Sequence, residues 1–229
     1  MAAMETRRAL ATLVGVSAIA MAGCGGSSHK TTSTTSSSAS VATPPPSPNA
    51  VPPNAPAAVR AVAGRVLIAG DLPGLAPQGQ RTLSTSAENW VSEEGLPGFE
   101  RAKEVRRLTG LGFVRAVRER LAPASETGPE AISIVVQFRS ARGARADLAA
   151  EAQMGEAHGA PPFPAPGIPG ARGFGGANGA TTGYNVAYAV GRYYYLVGVG
   201  YATGSPGAPS RASLVSAAQR LYSRVQRHG

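Results

Sequence analysis

The chain has 229 residues, 43% of them hydrophobic, which is enough for one globular domain with extensions. Its net charge of +9 comes almost entirely from arginine, and this basic balance is compatible with nucleic acid, anionic lipid or an acidic wall polymer, or with a coding bias toward arginine. The densest basic cluster, residues 101–120, includes Arg115 but is interrupted by Glu104 and Glu119 and lacks interleaved aromatic side chains for base stacking. We therefore expect a solvated face there and no nucleic-acid partner.

The first 23 residues have the pattern of an export signal. Arg7 and Arg8 precede an uncharged apolar run, residues 9–22, which is shorter than the roughly 20 residues that span a bilayer. The run ends at Cys24, the only cysteine, so no intramolecular disulfide can form. An ordinary secretory signal followed by an incidental cysteine is the alternative.

The sequence Ala20-Met21-Ala22-Gly23-Cys24 resembles the lipobox of bacterial lipoproteins. It departs from the family only in having Met21 where leucine is usual. The resemblance implies that residues 1–23 are a signal peptide cut before Cys24, and that the Cys24 thiol carries a diacylglycerol. Two acyl chains, at about 0.8 kcal/mol per buried CH₂, give stable anchoring. The implied location is the extracytoplasmic side of the cell membrane.

Residues 24–58 are predicted to be a disordered tether. A Gly/Ser/Thr run is followed by a proline-dense run, and neither composition can pack a core. Fully extended, at about 3.1 Å per residue, the tether would reach on the order of 100 Å. The folded domain is predicted to cover residues 59–229.

The first half of the domain contains two predicted helices. Residues 66–68 are predicted to be a strand or extended segment before a turn. A helix over 86–94 follows, with Thr85 and Glu88 as a capping box and Trp90 facing the core. A second helix over 99–109 carries its inner side at Phe99, Ala102, Val105 and Leu108.

Two strands and a helix are predicted next. Residues 113–121 alternate weakly and favour a strand, with a helix as the alternative, whereas 132–138 alternate clearly. Ser140 is placed to cap a helix that ends near Met154. Residues 155–182, rich in Gly and Pro, are predicted to be a long loop that is either functional or poorly ordered, with Ile168 reaching the core.

Residues 183–201 form the organising element, a predicted antiparallel hairpin that turns at 190–192. Aromatic and β-branched residues alternate along both halves, which is the pattern of strands. Ser210 caps a predicted final helix to about Gln226, whose apolar stripe covers the hairpin. The fold class is therefore α+β, a single domain with a mostly antiparallel sheet and helices packed on it.

This order of elements, behind a lipobox and tether, is similar to that of actinobacterial cell-envelope lipoproteins with a PsbP-like fold. The residues that carry the resemblance are Leu72-Pro73-Gly74, Gly112-Phe113, 134–140 and 193–198. The resemblance implies a fold and an envelope location rather than a chemistry.

Catalytic and metal-binding patterns are absent from the sequence. No histidine accompanies a nucleophile and an acid in a triad pattern, no G-x-S-x-G occurs, and no metal-ligand cluster occurs. We therefore expect no enzyme activity and no cofactor. The candidate binding surface is Tyr193, Tyr194 and Tyr195, because consecutive rings point to both faces of a strand and tyrosine favours interfaces. Alternatively, the three rings pack beneath the last helix and the long loop.

The leading functional hypothesis is a lipid-anchored, extracytoplasmic binding domain without catalysis. Its expected partners, besides the membrane, are a cell-wall polymer, an apolar ligand or an envelope protein. A carrier of a lipid-like ligand and an unrecognised enzyme are the alternatives. An apolar cavity would favour the carrier, an exposed tyrosine patch the binding domain, and convergent carboxylates of raised pKa the enzyme.

Overall fold

The computed structural model describes residues 56–78, 81–92, 94, 96–125 and 128–227. The predicted signal peptide, Cys24 and the tether up to residue 55 lie outside these residues. The helices are α1 (Ala57–Ala63), α2 (Ala87–Ser92), α3 (Gly98–Gly110), α4 (Ala141–Ala157) and α5 (Arg211–Gln226). The strands are β1 (Ala76–Pro77), β2 (Thr82–Ser84), β3 (Phe113–Ala122), β4 (Glu130–Phe138), β5 (Pro162–Phe163), β6 (Arg172–Asn178), β7 (Thr181–Val190) and β8 (Tyr193–Ala202).

The described strands form one antiparallel sheet in the order β1-β3-β4-β8-β7-β6-β5, with β2 also paired to β3. Strand β8 pairs on one side with β7, to which it is connected by the tight turn at Gly191 and Arg192. On its other side it pairs with β4, and Tyr193 lies opposite Gln137. β4 is an almost continuous run of buried residues rather than an alternating one, because helices cover both faces of the sheet. The single antiparallel α+β domain predicted from the sequence is confirmed.

One face of the sheet packs against α5 and the segment that follows α1. The α5 stripe of Leu214, Leu221 and Val225 is buried against Tyr188 and Tyr195, as the periodicity predicted. The segment after α1 is fixed by polar contacts, since the backbone N–H of Leu67 donates to Ser133 Oγ at 3.0 Å and Arg224 of α5 contacts Asp71 Oδ2 at 2.9 Å. Ile168 also reaches this core, as expected.

The opposite face packs against α2, α3 and α4. Trp90 of α2 is buried here, as predicted, together with Phe138, Phe174 and Tyr194 from the sheet. Ser140 caps α4 by accepting a hydrogen bond from the Gly143 backbone N–H at 3.1 Å. The hairpin, the β3–β4 pair and the caps of α4 and α5 therefore agree with the sequence-based predictions.

Residues 155–182, predicted to be a structureless loop, instead contain the end of α4 and strands β5 and β6. The glycine-rich β6 carries little intrinsic strand preference, and its conformation comes from pairing with β7 along its whole length. The side chains of Phe163 in β5 and Phe174 in β6 are buried and anchor this edge of the sheet to the core. Tertiary pairing therefore overrode the local composition.

Residues 66–68, predicted to be a strand or an extended segment, do not form a strand, because their backbone is held by side chains rather than by a neighbouring strand. Two smaller predictions are wrong. Phe99 is 79% exposed, since it lies in the first turn of α3, beyond the part of that helix that meets the core. Ser86, rather than Thr85, accepts the hydrogen bond from the Asn89 backbone N–H at the start of α2.

Candidate anion-binding pocket

The three consecutive tyrosines of the predicted binding surface lie in three different environments. Tyr194 is buried on the α4 face, where its hydroxyl has no hydrogen-bond partner among the described residues. Tyr195 is buried on the α5 face, stacks on Tyr188 at 5.0 Å between ring centroids and accepts a hydrogen bond from Arg65 at 3.1 Å. Tyr193 is half-buried and lines a pocket.

This pocket has a volume of about 370 Å³ and lies where α1 meets one end of the sheet. Its walls come from α1, from the first residues of β3, from the end of β4 and from the β7–β8 turn. The lining residues are Ala58, Ala61, Val114, Arg115, Gln137, Arg139, Arg192 and Tyr193. Three arginine residues thus line one small concavity, and no acidic residue lies among its lining residues.

Arg115 is the most buried of the three arginines. Its Nε is buried and has no hydrogen-bond partner in the part of the chain that the structure describes. Leaving a buried charged donor unsatisfied costs at least about 1–3 kcal/mol. A shift of the Arg115 side chain toward an anion in the pocket would offset that cost with a charge-assisted hydrogen bond.

Arg139 and Arg192 are exposed at the rim, and neither forms a salt bridge with any described residue. Local backbone geometry sets their positions. Gly191 adopts φ of +55°, a left-handed conformation that the tight β7–β8 turn requires and that projects Arg192 at its second residue. The Arg139 backbone N–H donates to the Gly112 carbonyl at 2.8 Å, which ties the end of β4 to the start of β3.

The ring of Tyr193 contacts two guanidinium groups, those of Arg65 and of the pocket residue Arg192. The Arg65 guanidinium carbon lies 4.3 Å from the ring centroid, and that of Arg192 lies 5.7 Å away. Both are within the range of cation–π attraction. Tyr193 is therefore in cation–π contact with one pocket arginine and with neighbouring Arg65, and it forms one wall of a cationic site rather than part of an exposed tyrosine patch.

A second cluster of charged groups lies between α3, α4 and the sheet. Arg107 of α3 donates to Glu104 and to Asp147 of α4, each at 2.6 Å, and approaches Glu151 at 3.8 Å. Glu94 lies 3.5 Å from Arg118 of β3, whose guanidinium stacks on Trp90. Carboxylates outnumber arginines in this cluster.

Burial raises the pKa of the carboxyl groups in this second cluster. Desolvation is the largest cause in each case, and it raises the pKa of Glu94 to about 7, of Asp147 to about 6 and of Glu151 to about 8. Neighbouring arginines oppose these shifts, whereas neighbouring carboxylates add to them. Glu151 keeps 27% of its side chain exposed, so solvent screening limits the free energy attached to its shift.

Within the described ranges, no group of three or more His, Cys, Asp or Glu side chains is placed to hold a metal ion. Among the same residues, no helix is both long and apolar enough to cross a membrane.

Sequence reasoning missed the arginines of the pocket. Arg115 was assigned to a solvated face, which is wrong because antiparallel pairing of β3 with β4 brings it beside Gln137 and buries its Nε. Glu119 of the same cluster is fully buried and paired with Arg81. The sequence did contain a signal for this pocket. Several arginines lie near the ends of predicted strands, and antiparallel pairing of those strands would bring them to the same end of the sheet.

Comparison with known proteins gives one fold relationship. No protein-family model matches the chain, and no curated protein matches it. The crystal structure of the extracellular domain of PknH from Mycobacterium tuberculosis superposes with a TM-score of 0.52 at 11% sequence identity. The match covers 75% of this chain and 98% of that domain. At this level of identity, the similarity establishes a shared fold.

Proposed function

We propose that the chain is a membrane-tethered, extracytoplasmic binding domain that takes an anionic group in the pocket beside Tyr193. The observation that carries this proposal is the convergence of Arg115, Arg139 and Arg192 on one pocket without a carboxylate in its lining. Guanidinium groups match phosphate and carboxylate geometry and are the usual side chains for binding either. The domain acts by binding and not by catalysis.

The extracytoplasmic location and the anchor at Cys24 are part of the same proposal. The lipobox-like sequence before Cys24 supports the anchor, and the fold shared with an extracellular domain supports the location. The resemblance to PsbP-like envelope lipoproteins stays a prediction. Among the partners considered, an acidic wall polymer and an anionic lipid fit the pocket, whereas an apolar ligand fits its charged lining poorly.

Native mass spectrometry of the full chain, purified from its own host, tests this function. We expect an adduct with the mass of an anionic small molecule or polymer fragment on the wild-type chain. Arg115→Gln should lose the adduct, whereas Arg106→Gln, which removes an exposed arginine of α3, should keep it. A wild-type chain with no adduct, or an adduct retained by Arg115→Gln, would contradict the proposal.

An enzyme is the second candidate, since one observation favours it. The carboxyl groups of Glu94, Asp147 and Glu151 lie in one cluster and have raised pKa values, as carboxyl groups in sites of general acid catalysis do. Against it, Asp147 is held at 2.6 Å by Arg107, which is typical of a structural ion pair. Hydrolysis of a glycoside or ester panel that is lost on Glu151→Gln would support this candidate, and hydrolysis unchanged in that variant would exclude it.

A further inference from the structure

The basic side chains at the pocket belong to a larger asymmetry of the sheet. The β7–β8 turn, the β4–α4 connection and the α3–β3 connection lie at one end, which we call the arginine end. These connections contain Arg139 and Arg192 and no carboxylate. Helix α4 starts at the same end, and its first two turns carry exposed Arg142 and Arg145. The first turn of α4 contains no acidic residue.

The opposite end of the sheet has a different charge. It is formed by the connections β3–β4, β6–β7 and β8–α5, whose described residues are 123–125, 128–129, 179–180 and 203–210. These segments contain no lysine or arginine, and the nearest arginines are Arg120, which pairs with Glu130 at 3.0 Å, and exposed Arg211 at the start of α5. Among the described residues, the arginine end therefore carries more exposed, unpaired arginines than the opposite end, and its basic footprint is wider than one phosphate group requires.

The arginine end is also the side from which the amino-terminal segment enters. Ala58 and Ala61 of α1, the first described helix, form a wall of the pocket. Only 32 residues separate Cys24 from α1. A flexible Gly/Ser-rich linker of that length has a root-mean-square span of about 30 Å, and proline-dense stretches lengthen it. An anchor at Cys24 would therefore hold the pocket within reach of the bilayer surface.

We infer that the arginine end docks on the membrane, with the pocket receiving the phosphate of an anionic phospholipid headgroup. This inference rests on the proposed function, and it names the phosphate as the anion and the lipid surface as its source. Arginines near an anionic leaflet each strengthen binding, so the exposed arginines around the pocket act together with it. The tethered domain would then lie against the membrane instead of projecting from it.

Sedimentation with vesicles tests the inference in the chain from residue 24 onward carrying Cys24→Ser, so that no acyl chain contributes. We expect sedimentation with phosphatidylglycerol vesicles, release by high salt and little binding to phosphatidylcholine. Arg192→Gln should lower the partition coefficient about fivefold. Arg211→Gln removes the same charge at the opposite end of the sheet, at the start of α5, and should leave partitioning unchanged.

A titration of the same chain with glycerol 3-phosphate, followed by NMR, distinguishes anion binding in the pocket from docking on the membrane. Amide shifts at the pocket without sedimentation on phosphatidylglycerol would overturn membrane docking and leave anion binding in place. Neither shifts nor sedimentation would overturn both. Equal sedimentation of Arg192→Gln and wild type would overturn the assignment to the arginine end.

Discussion

Replacing Glu151 by glutamine should stabilise the protein at alkaline pH and have little effect at acidic pH. The native state binds a proton on Glu151 that the unfolded state has already lost, because burial raises the pKa of this carboxyl group to about 8 from an ordinary 4.5. The free energy of unfolding must therefore fall as pH rises from about 4.5 to about 8. Glutamine removes that penalty and keeps the shape of the side chain.

The size of the effect follows from the shift and the exposure. Each unit of pKa difference corresponds to about 1.36 kcal/mol, but Glu151 is 27% exposed and lies 3.8 Å from Arg107, so we expect about 1–2 kcal/mol at pH 8. For a domain of this size, that is a rise of roughly 2–8 °C in melting temperature. At pH 4, where most of the unfolded chains also keep the Glu151 proton, the variant and the wild type should melt within about 1 °C of each other.

Thermal unfolding followed by circular dichroism at pH 4 and pH 8 measures the difference. Glu156→Gln is the matched control, since Glu156 is exposed on the same helix, and its effect should be small at both values. A destabilised Glu151→Gln at pH 8, or an equal change at both pH values, would refute the argument that Glu151 is desolvated and crowded by carboxylates.

Three other perturbations have defined outcomes. In a denaturant titration, Gly143→Ala should lower the free energy of unfolding by about 1–3 kcal/mol, because the added Cβ would clash with the Leu111 carbonyl oxygen. Gly110→Ala, which places its Cβ in open space, should raise the free energy of unfolding by about 0.5–1 kcal/mol. Cys24→Ala should move the chain from the detergent phase to the aqueous phase on partitioning, and a variant that stays with detergent would contradict the lipid anchor. Arg115→Met should raise the melting temperature in anion-free buffer, since it removes a buried unpaired donor, and an unchanged or lower melting temperature would mean that the Arg115 guanidinium is satisfied.

The sequence predicted elements whose pattern depends on local alternation and capping. The β7–β8 hairpin, β4 and the α5 stripe were recognisable because period-two and helical spacing are visible in a single segment. Strand β6 was not, since its pairing with β7 is a property of the tertiary structure and glycines carry no pattern of side chains. Phe99 was misplaced because the helical period does not say where a helix leaves the core.

The candidate pocket was only partly accessible to sequence reasoning. Tyr193 was selected for the alternation of its strand, and the same alternation shows why Tyr194 and Tyr195 are buried on opposite faces. Arg115 was not selected, because its burial depends on the register between β3 and β4 and on the position of α1. Charge composition alone could not distinguish a solvated arginine from an unpaired one.

An NMR titration with inorganic phosphate tests the central claim most directly, using the chain from residue 24 with Cys24→Ser. Binding at the pocket predicts saturable shifts in the amides of Arg115, Gln137, Arg139 and Tyr193, and predicts that Arg115→Gln abolishes them. Saturable shifts elsewhere with this pocket unaffected, or wild-type behaviour in Arg115→Gln, would contradict the account.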